Sequence, residues 1–252
     1  MAARGFLGGG DLYIDRYDPS TGLKVGRVGP FECSKFEIKA NSELKEQKSK
    51  GKTTYGQVIE SVALSLPADL TVELSELDKD GLTLALLGTQ SVINQGSGSI
   101  TDEAMIAKRD KWVSLSKANF AVAGFSVKHT SGTPTYVLGT DYDVNYRLGM
   151  VRVKSTGAIA DGASVKVSGS YNASTGTRIA GATQAQVRAE FILDGINFAD
   201  NLPVICTAWE AVLAPDSAFD FLGDGFGVIS LKGRLKTPTG KTEPFQVDLL
   251  TA

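Results

Sequence analysis

Few side chains in this sequence are equipped for chemistry, and their spacing narrows the choice further. The single histidine, His129, stands in Val-Lys-His-Thr-Ser-Gly-Thr-Pro at 127–134, a strand end running into a turn. A multi-histidine metal site is therefore excluded, and any Ser-His-Asp or Cys-His relay would rest on that one residue. Cys33 and Cys206 lie far apart in apolar, strand-like runs. That placement predicts free buried thiols rather than a disulfide scaffold. Glu76-x-Asp78-x-Asp80-Gly81 opens like a calcium loop, but Leu87 occupies the position that needs a bidentate Glu. Acid pairs such as Asp102-Glu103 and Asp141/Asp143 are what a paired-carboxylate hydrolase requires, yet they fall at turns, where acids cap and solvate. Gly8-Gly9-Gly10 precedes a strand, and no helix pattern follows Gly223-Asp224-Gly225-Phe226-Gly227, so neither opens a dinucleotide site. Phosphate-loop and nucleophile-elbow motifs are absent. The expectation is a protein that is not an enzyme and uses no cofactor or metal.

The elements that carry these residues read as strands. The chain has 252 residues, 42% hydrophobic and 21% charged, which fits a globular chain. Lys and Arg number 26 against 28 Asp and Glu, a net charge of −2, so no general nucleic-acid footprint is present. No window approaches the ~18 apolar residues of a membrane-spanning helix. Nor does an apolar run follow the first Arg as in a secretory signal. Trp112 and Trp209 sit in strand-like runs, where core packing is expected. Under a second reading, a β-sandwich carbohydrate-binding or adhesin-like module, Trp112, Trp209 and Tyr142 would stack on sugar.

Along the chain, 12–17 and 23–28 flank Asp18-Pro19-Ser20-Thr21-Gly22, which reads as a hairpin. Residues 31–40 alternate as a half-buried strand, and 57–66 alternate again. Between them, 41–54 holds Leu44 as its only apolar residue, so it reads as a solvated loop or as an arm that orders against a partner. Pro67-Ala68-Asp69 suggests a turn before a strand at 70–74. A short helix is expected over 79–87, capped by Asp78 and stopped by Gly88. Short, evenly spaced segments over 113–173 read as an inserted β-sandwich-like unit. Four further strands follow at 186–194, 203–212, 228–235 and 244–250. Phe219, Phe221 and Phe226, with Phe6 and Leu7 near the start, are candidate subunit-interface residues.

Several stretches together resemble bacteriophage tail tube proteins, also called major tail proteins. They are Gly-Asp-Leu-Tyr-Ile at 10–14, Pro-Phe-Glu at 30–32 leading to Lys-Phe-Glu-Ile at 35–38, the polar arm over 41–55, and Leu-Leu-Gly-Thr at 86–89. Similar too are 136–144, Gly149-Met150-Val151 and Ile159-Ala160-Asp161-Gly162. The resemblance implies a mainly β fold of tail-tube type, a β-sandwich with a barrel-forming sheet and one short flanking helix. It implies a core domain of 1–112 plus 174–252 and an inserted small β subdomain at 113–173. It further implies homohexameric rings stacked into a tube, a virion tail assembled in the host cytoplasm, and tape-measure, tail-terminator and distal tail proteins as partners. DNA would pass through without specific binding, and no membrane would be involved. The inter-ring arm would then be carried by Glu43, Leu44, Lys45, Glu46, Lys48, Lys50 and Lys52.

Overall fold

The computed structural model describes residues 5–75, 78–225 and 227–251. The chain starts as the expected hairpin. Strand β1 (Gly8–Tyr17) turns through Asp18, whose carboxylate accepts from the N–H groups of Ser20 and Thr21 at 2.7 and 3.2 Å, and Gly22 takes φ +69° to finish the turn. It returns as β2 (Lys24–Lys48), which pairs antiparallel first with β1 and then with β3 (Val58–Leu74).

Two expectations fail here. The polar stretch after residue 40 is not a loop: β2 runs on to Lys48. Nor is Pro67-Ala68-Asp69 a turn, because β3 runs straight through it. Lys39 pairs with Asp69 but Asn41 with Leu66, so Pro67 and Ala68 oppose Ala40 alone in a bulge. A bulge is where a strand tolerates a proline, whose missing N–H costs no ladder bond. The Asn41 side-chain amide clamps it by donating to the Pro67 carbonyl at 3.1 Å and to Asp69 at 2.8 Å. Helix α1 (Lys79–Ala85) then forms, shorter than the 79–87 expected, and the residue that turns left-handed after it is Leu87 at φ +48°, not Gly88. The Asp78 carboxylate accepts from the Gly81 N–H at 2.6 Å, and Leu84 joins the core.

The chain forms two compact units, Met1–Gln90 with Ile179–Ala252, and Ser91–Arg178 inserted within the first. Strands β4 (Thr89–Gln95) and β11 (Ser174–Ala180), which pair with each other, carry the chain across both boundaries. Between them lie β5 (Gly98–Ile106), β6 (Trp112–Ser114), β7 (Ser126–His129), β8 (Tyr142–Asn145), β9 (Met150–Val153) and β10 (Ser164–Tyr171). They make two three-stranded sheets, β5-β10-β7 and β6-β9-β8. The sheets share a core that includes Met105, Val127, Tyr142, Val151, Ile159 and Val165. The inserted unit therefore exceeds the 113–173 expected from sequence. Its β5 pairs with β10 along nearly its whole length, which binds residues from 98 onward to the insertion.

The last strands complete the first unit. They are β12 (Val187–Asn197), β13 (Leu202–Pro215), β14 (Ile229–Leu235) and β15 (Phe245–Leu249). Pairings run β12-β1-β2-β3-β14-β13, and β13 pairs back onto β12, so six strands close on themselves. The β13 edge that faces β14 also takes β15 beside residues 204–208. A barrel this small is filled by side chains: Leu12, Ile14, Leu70, Val72, Phe191 and Leu231 are all essentially inaccessible. At Gly233 the wall is so tight that a Cβ would come within 2.0 Å of the Val212 carbonyl oxygen.

Two buried carboxylates on the same strands pair with cations that reach the surface. Glu190 receives Lys24 at 2.7 Å and Arg27 at 3.1 Å, while Glu210 receives Arg188 at 2.7 Å and Lys236 at 3.0 Å. Burial pushes the Glu210 carboxyl up, but the bonds from Arg188 and Lys236 outweigh it and hold the group below its ordinary value. A depressed folded pKa stabilises the fold above the unfolded value of about 4.3 and is lost as pH falls through the folded one. Urea denaturation at stepped pH below ~4.5 is therefore expected to show stability falling with acid, with a shallower slope in Glu210→Gln. An unchanged slope in that variant would remove Glu210 as a source of the acid sensitivity.

Candidate assembly interface

Among the described residues, the longest stretch of paired strand that packs on no other element is the far half of the β2–β3 hairpin. Strand β1 covers the β2 edge only beside residues 24–32, and β14 covers the β3 edge only beside 69–74. Beyond those points, among the described residues, the two strands pair only with each other, as a ribbon with both outer edges open. Lys45–Val62, Glu43–Leu64 and Asn41–Leu66 are directly opposed, so they share one face. Val62, Leu64 and Leu66 line up there, 42–49% exposed. Leu44 opposes Ala63 on the other face and is 58% exposed. Long open edges with exposed apolar rows are what strand pairing with another chain uses.

The ribbon tip is ordered by its own bonds. Ser49 N–H donates to the Gln57 carbonyl at 2.7 Å, and Gly56 N–H donates back to the Ser49 carbonyl at 2.9 Å. The Ser49 and Thr54 hydroxyls bond at 2.7 Å, and Ser49 is buried among these groups. Gly56, at φ +85°, supplies the left-handed residue that closes the turn. The arm expected to order only against a partner is thus an ordered ribbon in a single copy. Of its named residues, Glu43, Leu44, Lys45, Glu46 and Lys48 are on β2, while Lys50 and Lys52 are in the tip turn.

The other candidate interface residues form two patches, not one. Phe6 and Leu7 are 69% and 66% exposed, and Leu7 N–H donates to the Asn197 side chain at 3.0 Å. Phe6 also lines a cavity of about 230 Å³ with Gly9, Cys33 and Phe36. Phe219 and Phe221 lie in the loop after β13, ring centroids 4.8 Å apart and nearly perpendicular, with Phe221 68% exposed. Asn197 pairs with Leu202 at the start of β13, whereas the loop follows Pro215 at its end. The two patches therefore sit at opposite ends of β13. Phe226 lies outside the described residues.

Most of the remaining chemistry-bearing groups have a structural partner or are buried. His129 ends β7 and bonds Ser131 at 2.8 Å, as an exposed turn histidine. Cys206 is buried, and burial pushes its thiol up to about 11. Cys33 is only half-buried, against expectation, because it lies just beyond the stretch of β2 that β1 covers. Asp141 is buried and accepts from the Val137 and Ala158 N–H groups, both at 2.8 Å. Asp143 pairs with Arg152 at 2.7 Å and Lys154 at 3.2 Å, and Glu103 holds Ser116. Asp78 caps α1, so the stretch that opened like a calcium loop becomes a helix start, with Glu76 outside the described residues. The tryptophans correct a core assignment: Trp112 is 44% exposed with Arg152 over its ring at 5.1 Å, and Trp209 is half-buried with Lys241 over its ring at 3.5 Å. Tyr142 is buried. Of the three rings available for sugar stacking, one is thus inaccessible and two already hold a protein cation.

The apolar row Val62-Leu64-Leu66 is the feature that sequence reading missed as an exposed surface. Its signal was present as alternation over 57–66, but the polar partner strand hid the pairing. A search of curated proteins gives no match. A family model matches residues 5–244, and the chain belongs to that family, described as Protein of unknown function UCP028589.

Proposed function

We propose that this chain is a structural subunit that assembles with copies of itself into a tube of stacked rings, in the manner of phage tail tube proteins. The observation that carries the reading is the ribbon beyond the barrel, with two open strand edges and a solvent-facing row of Val62, Leu64 and Leu66. A monomer gains nothing from such a surface and risks aggregation through it. Neighbours in a ring would cover both edges, and ring closure would leave none exposed.

The barrel of a single copy is filled by its own side chains, so a conduit would have to lie between copies. A net charge of −2 suits a channel that lets DNA slide rather than gripping its phosphates. The implied partners are a tape-measure protein and the proteins that cap the two ends of the tail. The test is assembly of the purified chain. Light scattering across a concentration series should show growth above a threshold, and negative-stain images should show rings or tubes of uniform diameter. A protein that stays monomeric at high concentration overturns the proposal.

A further inference from the structure

The ribbon tip is basic and carries an exposed aromatic. Lys48, Lys50 and Lys52 are exposed, Tyr55 is 78% exposed, and no Asp or Glu lies between Glu46 and Glu60. The loop joining β13 to β14 has the complementary character. Asp216, Asp220 and Asp224 are its charges, and no Lys or Arg occurs from Pro215 to Leu231. Phe221 and Leu222 stand 68% and 92% exposed within it. The Leu222 N–H donates to the Asp220 carboxylate at 2.8 Å, and the Phe219 ring braces Phe221 edge-on.

Topology places these two surfaces apart. The β3–β14 ladder runs from Leu74 opposite Ile229 to Asp69 opposite Arg234. The acidic loop enters at the Ile229 end, and the ribbon leaves beyond the Asp69 end. With 17 residues in β3 at about 3.3 Å each, the strand spans roughly 55 Å. Tip and loop of one copy therefore point away from each other along the same strand.

From this we infer that the lysine tip of one copy docks on the acidic aromatic loop of the next, Tyr55 meeting Phe221 and Leu222 while the lysines face Asp216, Asp220 and Asp224. The contact rests on the self-assembly reading and assigns it a polarity. Joining unlike surfaces at opposite ends of a molecule, it repeats head to tail instead of closing on a pair. Its charges steer the encounter and make growth salt-sensitive.

Charge exchange tests it. The triple variants D216K/D220K/D224K and K48E/K50E/K52E, each first checked for an unchanged melting temperature, should each need a roughly tenfold or higher concentration to elongate. Mixing the two should restore elongation, because the acidic tip then meets the basic loop and the native tip meets the native loop. The sextuple variant should likewise elongate alone. If the wild type elongates and the loop variant elongates equally well, this contact is wrong while the tube reading stands. Triple variants that fail without rescue by mixing also overturn the charge pairing. A wild type that never elongates overturns both.

Discussion

Replacing residues 42–65 with an Asn-Gly turn is expected to abolish assembly while leaving the barrel folded. The ribbon contributes no side chain to the first unit's core, which resumes at Ala68. The Asn41–Leu66 pair is the last rung before the cut, and Asn-Gly suits a tight turn between antiparallel strands. The melting temperature should move by no more than about 4 °C, equivalent to ~1 kcal/mol in a chain of this size. Scattering and images at concentrations where the intact chain grows should show no growth at all. Both strands must be shortened together: removing 43–52 alone would strip β3 of its partner and create a new sticky edge. Tubes of normal length and diameter from the excised protein would refute the role given to the ribbon.

Phe191→Ala should produce the largest loss of stability. Phe191 is fully buried in the barrel interior and sits beside the bulge where β12 meets β13. Removing a buried phenyl ring costs about 3–5 kcal/mol, a large part of the ~5–15 kcal/mol that holds a typical domain. The loss should be local. The inserted unit has its own core around Val127, Val151 and Val165, none of which belongs to the barrel's cluster. Hydrogen exchange should therefore show lost protection in β1, β3, β12 and β14 and retained protection in β5 and β10. Equal loss in both units would show that they unfold as one.

What the sequence made legible follows from which residues have to choose a side. The Asp18–Gly22 turn, the Asp78 cap and the strand at 70–74 are local signals, and each stands where it was read. The β3 side of the ribbon was read as a strand from its alternation over 57–66, but the β2 side was not legible because both faces of the ribbon meet solvent. With no core to satisfy, Ser42, Glu43, Glu46 and Lys48 need not alternate with apolar residues, and β2 therefore looks like a loop. Pro67 misled for the complementary reason: whether a proline breaks a strand depends on what opposes it, and here a bulge does. Trp112 shows that an aromatic in a strand-like run need not point to a core. The start of the insertion at residue 91 was hidden as well, because β5 declares its unit only by pairing with β10. Of the candidate interface, the sequence supplied the residues, but only the strand registers separated Phe6 and Leu7 from Phe219 and Phe221.

The way the barrel closes also sets a schedule for making it. Ile14 pairs opposite Phe191, and Leu74 opposite Ile229. At ~5–20 residues per second, β3 would wait on the ribosome roughly 8–30 s for the strand that completes it. The insertion is translated during that interval and finds its partners nearer in sequence, as β5 with β10 and β8 with β9. It can be finished before the barrel is. Any chain released before β14 would carry an open sheet with the ribbon already attached, so under the proposed self-assembly the C-terminal strands would have to arrive before growth begins.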